Sequence, residues 1–141
     1  MARIVVADGD TLHLDMVLTA LERAGHSVVG VTSGPNCLAR AKEGACDLVI
    51  ADVGLAGEGE ENFIESLHRH SANVPVIGMT SMSAGFADAP KGKATLVILA
   101  KPFTPAELRD EVEKALVGYH AEGSRVIGRL GIQPADSRVD L

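Results

Sequence analysis

The chain has 141 residues, enough for one domain that folds without stabilising metals or disulfides and too few for two. Aliphatic side chains must form its core, because aromatic residues make up 3% of the sequence and tryptophan is absent. The net charge of −6 repels phosphate backbones and acidic lipid surfaces, which argues against direct binding of nucleic acid or membranes.

Five apolar runs predict the strands of a parallel sheet. Each run is continuous rather than alternating, which is typical of strands that helices cover on both faces. The runs span residues 4–7, 28–31, 48–51, 74–79 and 96–100.

Segments with helical spacing of apolar residues separate these runs. They predict helices over residues 11–24, 35–43 and 60–70, and a fifth helix from residue 105. This last helix has the clearest start, because Thr104, Pro105 and Glu107 supply an N-cap, a first-turn proline and a capping box. The fourth helix, within residues 81–92, is expected to be short or partly irregular, since proline and two glycines interrupt it.

The alternation of strands and helices predicts an α/β fold of three layers. Right-handed crossovers then give a doubly wound (βα)5 arrangement with a five-stranded parallel sheet, which is flavodoxin-like. We assign residues 1–118 to this domain and residues 119–141 to a C-terminal tail. The tail has scattered apolar residues and either docks as a short helix or stays loose.

Targeting and redox features are limited. The apolar run that begins at Ile4 ends at Asp8, which is too short for a signal peptide, and no stretch reaches the roughly 18 apolar residues of a membrane span. Cys37 and Cys46 are too few for a disulfide framework or a zinc site, so we interpret both as small buried side chains. We expect a cytoplasmic protein.

Polar side chains cluster at the carboxyl ends of the predicted strands, where open parallel sheets bind ligands. Three carboxylates, two hydroxyls and a lysine lie there: Asp8 and Asp10 after the first strand, Asp52 after the third, Thr80 and Ser81 after the fourth, and Lys101 after the fifth. Such a set suits a hard divalent cation together with a phosphoryl group.

Three segments resemble those of response-regulator receiver domains, and the match runs in order from about residue 3 to residue 117. Residues 47–57 are similar to the phosphoacceptor strand and loop, with Ala56 where the family usually has proline. Residues 74–81 resemble the fourth strand and its hydroxyl residue. Residues 99–103 resemble the Lys-Pro-Phe signature, in which the bond between Lys101 and Pro102 is usually cis.

The resemblance implies a role for each matching residue. Asp52 would accept a phosphoryl group from a histidine kinase or a histidine phosphotransfer protein, and Thr80 and Lys101 would contact that group. Asp8, Asp52 and the Gly54 carbonyl would belong to a Mg²⁺ site. Such a domain is a signalling module rather than an enzyme, with at most self-phosphorylation and autodephosphorylation at Asp52.

Two positions depart from the family pattern. Gly9 stands where a direct metal-binding carboxylate is expected, so Mg²⁺ binding would be weakened or lost. Asp10 either replaces that ligand, weakly, or caps the first helix. Ile98 occupies the switch position, where the family usually has a rotating tyrosine or phenylalanine. The histidines, including His13, show no ligand spacing with one another or with the acids.

These features leave competing functions open. The chain is expected to be a single-domain response regulator that signals to an unknown downstream protein. The alternative is a pseudo-receiver that binds a partner without phosphorylation because Gly9 impairs the metal site. A flavin or nucleotide module is disfavoured, since the first loop carries acids in place of a phosphate cradle. Pairing of two copies through the fourth and fifth predicted helices is left open.

Overall fold

The computed structural model describes residues 1–43, 46–55, 63–70, 74–81, 96–117, 125–127 and 133–134. Its strands are β1 (Arg3–Ala7), β2 (Ser27–Val31), β3 (Leu48–Asp52), β4 (Val76–Ser81), β5 (Leu96–Lys101), β6 (Arg125–Ile127) and β7 (Gln133–Pro134). Its helices are α1 (Thr11–Arg23), α2 (Gly34–Lys42), α3 (Phe63–His70) and α4 (Pro105–Leu116).

The first five strands form the predicted parallel sheet. Their spatial order is β2-β1-β3-β4-β5, and each neighbouring pair is parallel. The chain therefore moves from β1 to one side of the sheet for β2 and to the other side for β3, which is the strand order of a doubly wound fold. This confirms the predicted fold class.

Side chains alternate between two cores along each strand, because successive residues of a strand point to opposite faces. On one face Ile4, Val6 and Ile50 pack with residues of α1 and α4. On the other face Val5 and Val49, with their neighbours along the sheet, pack with residues of α2 and α3. The helices thus form a layer on each side of the sheet, and the strand ends between the layers hold the polar residues.

The helix ends follow from local chemistry. Asp10 and Ser33 cap α1 and α2 through side-chain oxygens that accept backbone N–H groups of the first turn. After α1 the chain turns at Gly25, whose φ of 94° lies in the left-handed region that glycine adopts at little cost. Thr104 and Glu107 form the predicted capping box of α4, and this helix begins at Pro105 as expected.

Some predicted boundaries differ from the structure. Strands β3, β4 and β5 run one or two residues beyond the apolar runs, so that Asp52, Ser81 and Lys101 are their last residues. β4 begins at Val76 rather than at residue 74, because Pro75 has no N–H to donate to a ladder. The predicted fourth helix beyond residue 81 and the start of the third helix lie outside the described residues.

The described parts of the tail form strands, not the short helix that the sequence left as one option. β6 pairs in parallel with β5, and β7 pairs antiparallel with β6. Pairing with β6 gives β5 a second neighbour in the sheet. Among the described helices, none combines the length and the apolar character needed to cross a lipid bilayer.

Candidate functional site

The polar residues meet where the strand order reverses. Ala7 pairs with Ala51 in the ladder between β1 and β3, so Asp8 follows β1 beside the position of Asp52 at the end of β3. β5 lies on the side of β4 away from β3, and Ser81 at the end of β4 pairs with Lys101 at the end of β5. The carboxylates and the lysine therefore share the carboxyl edge of the sheet, which is the place where open α/β sheets bind ligands.

Asp8 is the most deeply buried carboxylate of this pocket, with 2% of its side chain exposed. Its Oδ1 accepts the Asp10 backbone N–H at 2.9 Å. Its Oδ2 lies 3.0 Å from Lys101 Nζ and 2.7 Å from His13 Nδ1. Burial raises the pKa of the Asp8 carboxyl, but the hydrogen bonds from Asp10, Lys101 and His13 outweigh it and hold that pKa below its usual value. Asp8 is therefore ionised at neutral pH.

Lys101 joins the two carboxylates. Its ammonium lies 3.1 Å from Asp52 Oδ2 and 3.0 Å from Asp8 Oδ2, and 18% of its side chain is exposed. Burial lowers the pKa of Lys101, yet its hydrogen bonds to Asp8 and Asp52 outweigh that effect and raise the pKa above its usual value. The lysine is thus a fixed positive charge between two acids.

Asp52 is the more accessible of the two acids that contact Lys101, with 29% of its side chain exposed. The Gly54 backbone N–H donates to its Oδ1 at 2.8 Å. Because the other oxygen faces Lys101, the carboxylate is held in one orientation at the pocket mouth. A ligand that approaches from solvent reaches Asp52 before it reaches Asp8.

Asp10 caps α1. Its Oδ1 accepts the backbone N–H groups of Leu12 and His13 at 3.1 and 3.2 Å. This geometry matches the capping interpretation of the two that the sequence left open, and it directs the carboxylate to the helix end.

Thr80 and Ile98 are buried residues of the neighbouring strands β4 and β5. Thr80 is buried near the end of β4, one residue beyond Met79, which pairs with Asp52 across the ladder. Its hydroxyl lies 3.4 Å from the Ser81 carbonyl oxygen. Ile98 is fully buried in the core on the α2 and α3 side. An aliphatic residue so enclosed belongs to the packing of the sheet.

His13 is the pocket residue that sequence reasoning missed. The sequence shows no ligand spacing between the histidines and the acids and gave no place in the pocket to His13, yet its Nδ1 lies 2.7 Å from Asp8 Oδ2. Its ring packs edge-on against Phe103, with ring centroids 5.4 Å apart and an angle of 79° between the planes. Its place in the first turn of a helix that follows Asp8 and the capping Asp10 was the available signal, because that turn folds back over the strand end.

A model of the family described as the response regulator receiver domain matches residues 4–113. The chain belongs to this family. Receiver domains are phosphoacceptor signalling modules rather than classical enzymes, and they interact with histidine kinases or phosphotransfer proteins. The bond between Lys101 and Pro102 is cis in this receiver domain, as the Lys-Pro-Phe resemblance implied.

Curated relatives include regulators of very different lengths. The receiver domain is 28% identical over 140 residues to the transcriptional regulatory protein ZraR of Salmonella typhimurium, covering 94% of this chain and 32% of ZraR. It is 29% identical over 125 residues to the response regulator receiver protein CpdR of Brucella abortus, covering 83% of this chain and 98% of CpdR. The chain spans about a third of the length of the ZraR proteins that it matches.

Solved structures agree with the fold. A response regulator receiver domain protein from Clostridium thermocellum superposes with a TM-score of 0.70 at 21% identity, covering 83% of this chain and 95% of that one. At this identity the likeness is evidence for the fold alone.

Receiver domains normally bind Mg²⁺, but the residues of this pocket do not match the oxygen set that such a cation needs. Gly9 has no side chain to offer, the Asp10 carboxylate caps α1, and both oxygens of Asp8 accept from protein donors. Across the residues that the structure describes, no three histidine, cysteine or acidic side chains are grouped to hold a metal ion. Mg²⁺ usually keeps several waters and takes one or two protein carboxylates, and here Asp52 is the accessible one, since 2% of the Asp8 side chain is exposed and Asp10 caps α1.

Proposed function

We propose that this receiver domain accepts a phosphoryl group on Asp52 from a histidine kinase or a histidine phosphotransfer protein. The observation that carries the proposal is the contrast between the two acids that share Lys101. Asp52 is 29% exposed and 3.1 Å from the ammonium, whereas Asp8 is 2% exposed and already accepts three hydrogen bonds. Asp52 is therefore the carboxylate that a phosphodonor can approach.

The chemistry follows from these contacts. An oxygen of Asp52 forms a bond to phosphorus while the bond between phosphorus and the donor histidine nitrogen breaks. Lys101 stabilises the negative charge on the transferred group, and the Gly54 N–H orients the nucleophile by holding its other oxygen. Thr80, buried near the end of the adjacent strand, is proposed to donate its hydroxyl to a phosphoryl oxygen.

We further propose that the domain works as a single-domain regulator that signals through contacts with other proteins. The match to CpdR covers nearly all of that protein and supports this interpretation. The net charge of −6 supports it too, because it disfavours direct contact with nucleic acid. Ile98 is aliphatic and fully buried, so it cannot report the state of Thr80 as a rotating aromatic ring would, and we expect another element to carry the signal.

The test is whether the protein gains the mass of one phosphoryl group. Incubation with Mg²⁺ and acetyl phosphate or phosphoramidate, followed by intact-mass measurement, should add one phosphoryl group to the wild type and none to Asp52→Asn. Asp47→Asn is the matched control. Asp47 is an exposed acid just before the start of β3, and its side chain accepts the Arg3 backbone N–H. Loss of the mass in both variants, or in neither, would contradict the assignment.

Gly9 favours a second candidate, a pseudo-receiver that binds its partner without phosphorylation. The two functions separate in the same assay. A wild-type protein that never gains the mass, yet binds its partner as well as Asp52→Asn does, is a pseudo-receiver.

A further inference from the structure

Two residues set the chemistry around Asp8: Gly9, which offers no carboxylate where the family pattern has one, and His13, whose imidazole Nδ1 lies 2.7 Å from Asp8 Oδ2. We propose that His13 and a divalent cation are alternative partners of Asp8, and that the pocket of this protein is assembled around His13 without the cation. The proposal concerns the pocket described above, and it holds whether or not Asp52 is phosphorylated.

The hydrogen bonds of Asp8 show that its partners in this structure are protein groups. An ionised carboxylate only accepts hydrogen bonds, so His13 must carry its proton on Nδ1 to make the 2.7 Å contact with Asp8 Oδ2. The same oxygen accepts from Lys101, and the second oxygen accepts from the Asp10 N–H. A buried carboxylate needs such partners to offset the loss of hydration. Asp8 has them from protein groups alone.

His13 is held at this position from several sides. Its backbone lies in the first turn of α1, where its N–H donates to the Asp10 cap at 3.2 Å. Its ring packs against Phe103, which follows the Lys101-Pro102 bond. On this side packing and not hydrogen bonding encloses the ring, because Nε2 is buried and has no hydrogen-bond partner in the part of the chain that the structure describes. To release Asp8 to a cation, the ring would have to leave this packed place.

The charge of the pocket also disfavours a bound divalent cation. Two carboxylates, Asp8 and Asp52, face one ammonium, while the family pattern would add a third carboxylate at position 9. Gly9 therefore lowers the negative potential that attracts a divalent cation. Position 9 still has room for that acid: among the described residues, a Cβ on Gly9 would have one contact within 4 Å, the Thr32 carbonyl oxygen at 3.9 Å.

The test measures cation affinity directly, by isothermal titration calorimetry with Mg²⁺ and by electron paramagnetic resonance of free Mn²⁺. We expect the wild type to bind either ion weakly, Gly9→Asp to bind it about tenfold more tightly or better, and Gly9→Asp with His13→Leu to bind it more tightly still. His13→Gln in the Gly9→Asp background keeps a side-chain donor for Asp8, so its affinity should stay near that of Gly9→Asp.

Each result has one meaning. An increase in affinity with His13→Leu but not with His13→Gln supports competition for Asp8. Equal affinities of Gly9→Asp with and without His13→Leu, or a wild type that binds Mg²⁺ as tightly as Gly9→Asp, would overturn the proposal. His26→Gln is the control for histidine loss elsewhere, since His26 accepts the Ala2 N–H at a distance from the pocket. None of these readouts depends on the phosphoryl mass at Asp52.

Discussion

At the scale of single residues, Asp8 is the most constrained group of the pocket. Its two oxygens accept from a backbone N–H, an imidazole and an ammonium while its side chain is almost completely buried. The loss of hydration that burial causes is therefore balanced by donors, and the pKa of Asp8 lies below its usual value as a result. Such a carboxylate contributes stability in its ionised form.

Asp8→Asn should lower the free energy of unfolding at pH 7 by about 1–3 kcal/mol, because donors that faced a carboxylate lose part of their partner. The pKa of Asp8 is lower in the folded state than the value of about 3.9 of the unfolded chain. Its contribution is therefore present above about pH 4 and is lost as the pH falls through the folded pKa. Urea unfolding at pH 7 and at pH 3.5 checks this.

The difference in the free energy of unfolding between Asp8→Asn and the wild type should be smaller at pH 3.5 than at pH 7. A variant as stable as the wild type at pH 7 would show that repulsion between Asp8 and Asp52 cancels what the donors contribute.

The sequence was enough to predict that Asp52 and Lys101 share a pocket, because the fold forces the ends of parallel strands together. The structure places the two side chains 3.1 Å apart. His13 was not predicted, because its contact with Asp8 depends on how the first turn of α1 lies over the end of β1. The place of His13 in the first turn after Asp8 and Asp10 indicates that it lies near the strand end, but it does not specify that the ring turns toward Asp8.

At the scale of elements, the helix ends depend on side chains adjacent in the chain, and these ends were predictable. In the capping box of α4, Thr104 Oγ1 accepts the Glu107 N–H at 3.0 Å, and Glu107 Oε1 accepts the Thr104 N–H at 2.8 Å. This helix follows directly on the segment that carries Lys101, and it packs on the sheet through Leu108 and Val112. The capping box thus fixes where the chain turns after the pocket.

Thr104→Ala should lower the free energy of unfolding by about 1 kcal/mol, since an N–H of the first turn loses its acceptor. Thr11→Ala is a suitable control, because Thr11 is an exposed residue at the start of α1. Chemical denaturation of the two variants gives the comparison. Equal losses in both would mean that the capping box adds nothing beyond the general effect of replacing threonine by alanine.

Strand limits were predicted less well than helix starts. Apolar runs stop at the first polar residue, yet the ladder continues through Asp52, Ser81 and Lys101 because backbone pairing does not require an apolar side chain. The strands of the tail were missed for a related reason. β6 and β7 are only three and two residues long, too short for any period to be recognised.

At the scale of the whole molecule, the tail pairs with the edge of the sheet next to the pocket strands. Residues 97–99 of β5 pair in parallel with β6. Among the residues that the structure describes, those of the two buried cores lie before position 117, and β6 joins the sheet through its backbone ladder with β5.

A chain truncated after Val117 should still fold cooperatively. Its melting temperature should fall by about 4–8 °C at most, which corresponds to about 1 kcal/mol for a domain of this size. Hydrogen exchange should become faster at the amides of residues 97–99 and stay unchanged in β1, which lies away from that edge. A truncated chain without a cooperative transition would show that the tail is part of the folding unit.

The whole account depends on the identity of the acceptor, and reductive trapping tests it most directly. Treatment of the phosphorylated protein with borohydride reduces an acyl phosphate of aspartate to homoserine, and peptide mass spectrometry then locates the changed residue. The pocket geometry predicts conversion at Asp52, with Asp8 and Asp10 unchanged. Conversion at Asp8 or Asp10, or phosphorylation that leaves Asp52 unmodified, would contradict it.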